Sequence, residues 1–129
     1  MPCVLVVATA ELRHRFIAVL RHAGYSVAEA DSADSALNIV RSASPKLILM
    51  SIVMPDGNGL EVAARLRRST NGEPLAPIIL LGSVPPIGIN EEPLASLVSG
   101  YLPVGVSPDD LLVAVRSHLG TDSQSEKSS

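Results

Sequence analysis

A chain of 129 residues has the length of one domain, and a second compact unit is not expected in it. Residues of the AVILMFWYC set make up 47% and charged residues 18%, which excludes a disordered chain and suffices for one hydrophobic core. With a net charge of −3 and only Phe16, Tyr25 and Tyr101 as aromatics, base-stacking platforms and aromatic cages are excluded, and no nucleic-acid partner is expected.

The chain opens on Cys3–Ala8, a run of small and β-branched apolar residues. Four more short runs follow at Tyr25–Ala30, Leu47–Ile52, Pro77–Leu81 and Gly100–Val104. Cys3 is the one cysteine, so an internal disulfide and a cysteine-rich metal site are excluded, and its apolar neighbours mark it as core filling. The N-terminal residues do not have the pattern of a signal peptide, and no apolar run approaches the ~18 residues of a membrane span. A soluble, cytoplasmic protein without a membrane partner is the expectation.

Between the first two runs, Leu12, Phe16, Val19, Leu20 and Ala23 share one helical face, while Arg13, Arg15, Arg21 and His22 fall largely on the others. Thr9 is the expected N-cap and Gly24 the stop. The pattern repeats at Ala33–Ser42, with Ser32 or Asp31 as cap and Pro45 as the stop, and at Leu60–Arg68, which ends near Asn71-Gly72. The fourth connection differs. Residues 82–88 hold two adjacent prolines and two glycines and must be irregular, which leaves Glu91–Ser99 for a short helix capped by Asn90. The last helix has Ser107 as N-cap, Pro108 at its first position, and Asp109 and Asp110 in the first turn, where the helix dipole favours negative charge. After Gly120 no apolar residue remains, so residues 1–119 are expected to form the domain and 120–129 a disordered tail or the stump of a linker. Charge is uneven: residues 1–70 carry eight Lys/Arg against six Asp/Glu, and residues 71–129 two against seven.

Strands alternating with helices require parallel pairing and right-handed crossovers, and strands buried on both faces explain why Val4–Val7 and Leu47–Met50 are continuously apolar. The expected fold is a three-layer α/β sandwich. Ligands of such sheets bind outside the carboxyl ends of the strands, here Ala8–Thr9, Ser51–Asn58, Gly82–Ser83 and Val104–Val106. No glycine follows the first strand, which excludes a dinucleotide fingerprint, and no phosphate-binding loop motif occurs. A flavin site would need a polar phosphate loop and flanking aromatics that the sequence does not supply. His14, His22 and His118 are scattered over two helices without further ligands at metal spacing and read as surface histidines. No nucleophile–base pair can be assembled, so neither an enzyme nor a cofactor is expected.

The run from Leu47 through Ser51, Met54-Pro55-Asp56-Gly57 and Gly59 to Glu61 resembles the central segment of response-regulator receiver domains, the phosphoacceptor modules of two-component signalling. Val4–Val7, Ala76–Leu81, Gly100–Leu102 and Ser107–Leu112 extend the resemblance over residues 3–119. It implies a flavodoxin-like, CheY-like fold of five βα units with a five-stranded parallel sheet in the order 2-1-3-4-5. It also implies a failed active site. The two acidic residues that hold magnesium with the phosphoacceptor in this family fall on Ala8 and Thr9, and the phosphoacceptor aspartate on Ser51. The hydroxyl residue that meets the phosphoryl group falls on Gly82, with Ser83 one place later, and the lysine on Val104, followed by Gly105 where the family has proline. Neither Mg2+ binding nor aspartyl phosphorylation is therefore expected, because hydroxyls alone do not satisfy magnesium and no ammonium remains to neutralise a transferring phosphoryl group.

Asp56, five residues after Ser51, reads as a turn aspartate after proline, and Ser51 as a hydrogen-bonded serine closing a buried strand rather than a kinase substrate. The expected function is that of a degenerate pseudo-receiver acting as a protein-interaction module. Its candidate face of Leu94, Leu97, Val98, Tyr101 and Leu102 would meet signalling proteins or a second copy of the chain as a homodimer. Tyr101 matches the family's aromatic switch residue, and it serves equally as a packing residue at a strand's start. The alternative is a small-molecule sensor using the vacated pocket bounded by Ala8, Thr9, Ser51, Met54, Gly82, Ser83 and Val104. DNA binding through Arg13, Arg15 and Arg21 with Arg65, Arg67 and Arg68 is disfavoured by the acidic net charge; solvated faces or docking to an acidic partner is the expectation.

Overall fold

Successive side chains of the first strand, β1 (Cys3–Val7), leave opposite faces of the sheet, and both sets are buried. Leu5 and Val7 join one apolar cluster, and Val4 and Val6 join another. A strand covered on both sides has no polar face to show, which is why the sequence there does not alternate. The protein is described by a computed structural model over residues 3–54, 57–69, 76–83 and 98–119.

The main sheet contains β1, β2 (Ser26–Ala30), β3 (Leu47–Ser51), β6 (Ile78–Gly82) and β7 (Gly100–Pro103), all parallel, in the order β2-β1-β3-β6-β7. Once the small ribbon formed by β4 (Val53–Met54) and β5 (Gly57–Asn58) is set aside, this is the expected 2-1-3-4-5. The ribbon itself was not foreseen: a two-residue antiparallel pairing is fixed by tertiary position and has no hydrophobic period of its own. In register, Val7 lies beside Met50, Ser51 beside Leu81, and Gly82 beside Pro103, so the carboxyl ends of four strands reach one edge together.

Helices α1 (Ala10–His22) and α4 (Pro108–Leu119) cover one face through Phe16, Ile17, Leu20, Leu111 and Val115. Helices α2 (Ala33–Ala43) and α3 (Gly59–Ser69) cover the other through Ala36, Val62, Ala63 and Leu66. The three layers are as expected. Because α1 and α3 lie on opposite faces, their arginines cannot form one basic surface, and Arg13 and Arg65 are spent on ion pairs with Glu29 (3.2 Å) and Asp34 (2.7 Å). Partial burial holds Arg67 below the ordinary guanidinium pKa.

Helix ends follow local chemistry. Ser32 and Ser35 form a reciprocal capping box, with Ser35 N donating to Ser32 Oγ (3.1 Å) and Ser32 N to Ser35 Oγ (3.3 Å). Ser107 caps α4 by accepting from Asp110 N (3.1 Å). Asn58 caps α3 by accepting from Leu60 N (2.7 Å), which starts that helix one residue before the expected Leu60. Thr9 occupies the N-cap position of α1, yet its side chain makes no capping bond. His118 is half-buried rather than a surface histidine, with Nδ1 3.0 Å from the Ala114 carbonyl oxygen. Most of the expected helix at 91–99, Asp56, and the tail after Leu119 lie outside the described residues. Among the described residues no helix is long and apolar enough to cross a membrane.

Candidate functional site

The aligned strand ends form a cleft of about 460 Å³. Thr9, Ser51, Gly82, Ser83 and Val104, all singled out from the sequence, line it together, and Leu12, Val53 and Leu81 add apolar wall. Ala8 does not line it. Ala8 is fully buried beneath, in the cluster of α1 and α4, and Met54 is 5% exposed in the cluster of α2 and α3, so neither bounds the space as expected. Both are apolar side chains next to a strand end, and the core takes them ahead of the cleft.

Ser51 ends β3 at 2% exposure, and its hydroxyl donates to the Val53 carbonyl (2.8 Å). That bond satisfies a buried hydroxyl within its own loop, as expected. The loop then returns to the strand: Gly59 N donates to the Ile52 carbonyl (2.7 Å).

Gly82 explains a second part of the arrangement. A Cβ there would stand 2.8 Å from Ile52 Cδ1 and 3.5 Å from Tyr101 Cε1, so the volume next to Gly82 is already filled by the two side chains. Its carbonyl accepts both Tyr101 OH (2.7 Å) and Val104 N (3.0 Å). Tyr101 is thereby turned inward against the cluster of α2 and α3. Gly82→Thr should lower stability by about 2 kcal/mol through overpacking, and the double variant with Ile52→Ala should regain at least half of that loss; urea unfolding of the three variants tests the coupling.

The candidate interaction face is revised by these positions. Val98 is 6% exposed in the core and cannot present itself to a partner. Tyr101 and Leu102 are consecutive on β7 and pack against the clusters on opposite faces of the sheet, because strand side chains alternate. Leu94 and Leu97 lie outside the described residues.

Two charged residues at the cleft carried no pocket assignment from sequence. Arg15 and Glu11 line the cleft. Arg15 extends over the Phe16 ring, with Cζ 5.1 Å from its centroid, and its Nη2 donates to the Val104 carbonyl. Arg13 donates to the Ala8 carbonyl (2.8 Å) as well as to Glu29. A helical wheel separates these residues from the apolar face and stops there; only the position of the β7–α4 connection shows where a long side chain ends.

Residues 4–116 match the response regulator receiver domain family. The chain belongs to that family. Among its curated relatives, the phosphate regulon transcriptional regulatory protein PhoB of Escherichia coli is 28% identical over 111 residues, 84% of this chain and 47% of that protein. Response regulator MprA of Mycolicibacterium vanbaalenii is 31% identical over 99 residues, 74% of this chain and 40% of that protein. This receiver chain thus spans less than half the length of those relatives. Chemotaxis protein CheY4 of Vibrio cholerae superposes with a TM-score of 0.81 at 25% identity, over 92% of this chain and 98% of that one. A CheY-like receiver domain protein of Methanospirillum hungatei reaches 0.79 at 22% identity, over 98% of each chain, and bears on the fold alone.

The magnesium ion implied by the receiver resemblance is a poor fit to the donors at these strand ends. Magnesium takes a near-octahedral set of hard oxygens with carboxylate charge. Ala8 has no metal-binding atom in its side chain, Thr9 offers a neutral hydroxyl, and the neutral Ser51 hydroxyl donates a hydrogen bond to the Val53 carbonyl. Among the described residues Glu11 is the only carboxylate lining the cleft, and no three His, Cys, Asp or Glu side chains converge.

Proposed function

We propose that this receiver domain is not phosphorylated on aspartate and serves two-component-type signalling as a protein-interaction module in the cytoplasm. One observation carries the reading: Ala8, Thr9, Ser51, Gly82 and Val104 stand at the strand ends, where the family resemblance implies two acids, a phosphoacceptor aspartate, a hydroxyl residue and a lysine. A carboxylate is needed to form the acyl phosphate, and a cation is needed to neutralise the charge that develops on the transferring group. With neither Mg2+ nor phosphorylation as input, partner binding sets the output. The partner surface is assigned to the β7 edge around Tyr101 and the outward side of α4, where Val113 is 58% exposed; a signalling protein or a second copy of the chain is the occupant, without nucleic acid or membrane.

Incubation with acetyl phosphate and Mg2+ followed by intact-mass measurement should show no phosphoryl adduct, and Mg2+ titration should leave the thermal midpoint unchanged. A stoichiometric, Mg2+-dependent adduct defeats the proposal. The cleft supports a second reading, a small-molecule site, since its volume falls within the range of ligand pockets and its lining joins apolar walls to a few polar groups.

A further inference from the structure

Glu11 and Arg15 stand four residues apart on α1, acid before base, which is the spacing and order that favour an ion pair on a helix. They do not form one. The ion pairs among the described residues are Arg13 with Glu29 and Arg65 with Asp34, and the Glu11 carboxylate has no partner there. Arg15 is held away by Phe16 and the Val104 carbonyl, a contact that engages one of its two terminal nitrogens and leaves further N–H groups over the cleft. The hydroxyls of Thr9 and Ser83, which also line the cleft, likewise have no partner among the described residues.

An unpaired carboxylate and an anchored guanidinium therefore share one concave surface with apolar walls. A simple anion would meet Glu11 as a like charge, and a simple cation would meet Arg15. A neutral polar ligand could offer each group a hydrogen bond but no opposite charge. A ligand with both charges satisfies the pair. We propose that the cleft binds a free aliphatic α-amino acid, with its carboxylate on Arg15, its ammonium on Glu11 and its side chain against Leu12 and Val104. This rests on the small-molecule reading of the cleft and does not depend on the interaction role of the domain.

Isothermal titration of the full chain with L-leucine tests it, with L-leucine methyl ester and N-acetyl-L-leucine each removing one charge. Saturable L-leucine binding is expected, weakened at least tenfold for either derivative and at least tenfold by Glu11→Gln or Arg15→Gln. Arg21→Gln, exposed on the same helix outside the cleft, should bind as the parent does. Thermal unfolding of each variant guards against a folding defect, and Glu11→Gln, which breaks no ion pair or hydrogen bond among the described residues, isolates the charge from the Arg15 strut. Absence of L-leucine binding overturns the proposal. Equal binding of acetate or isoamylamine also overturns it while keeping a small-molecule site, and retention of affinity in both charge variants does the same.

Discussion

Replacing Gly59 with alanine should destabilise the domain by at least ~3 kcal/mol, seen as a lower urea midpoint at unchanged slope. The added Cβ would stand 2.0 Å from the Ser51 carbonyl oxygen and 2.9 Å from its carbon. Neither atom is the movable end of a side chain. Ser51 is held in β3, in register with Leu81, and Gly59 is drawn toward it by its own hydrogen bond to the Ile52 carbonyl (2.7 Å). Relief requires moving the start of α3 off the sheet, and with it the contacts of Val62, Ala63 and Leu66. A loss under 1 kcal/mol would show that the β3–α3 connection yields more easily than its backbone contacts imply.

The second large effect is expected of Ser51→Asp, which supplies the carboxylate the family resemblance implies at a position now 2% exposed. The serine hydroxyl donates to the Val53 carbonyl; a carboxylate there sets oxygen against oxygen at a buried position. The expected cost at neutral pH is about 3 kcal/mol. Burial raises the carboxyl pKa above the unfolded value of roughly 3.9. The folded variant therefore holds its proton more tightly than the unfolded chain, so its stability is greatest below the unfolded pKa and falls as pH rises from there through the folded pKa. Denaturant unfolding at pH 4 and pH 7, with Ser51→Asn as the uncharged comparison, measures this. Mg2+ should not restore stability. A variant that is as stable as the parent at pH 7, or rescued by Mg2+, would mean that the strand ends still form a working acidic site.

Much of this arrangement was legible in the chain. The continuous apolar runs Val4–Val7 and Leu47–Met50 required a sheet covered on both faces, and the helical periods between the runs required parallel crossovers. Ser107 with Pro108, and Ser32 before Ala33, marked helix starts that local hydrogen bonds then made. Thr9, Ser51, Gly82, Ser83 and Val104 were placed at one edge because parallel strands end together. What composition and period could not show was the reach of side chains between elements. Ala8 and Met54 belong to the core, Arg15 crosses to the β7–α4 connection, and Ile52 with Tyr101 fills the volume beside Gly82.

The sequence by itself determined the layers and the identity of the groups at the strand ends, because these depend on periodicity and on which residue follows each apolar run; the strand order was what the receiver resemblance implied. Only the tertiary structure decided that Val98 is buried, that Tyr101 points inward to the Gly82 carbonyl, and that Glu11 and Arg15 face one cleft without meeting. These outcomes turn on contacts between residues distant along the chain, such as Arg15 with Val104 and Tyr101 with Gly82, and such contacts exist only once the sheet register has brought the elements together.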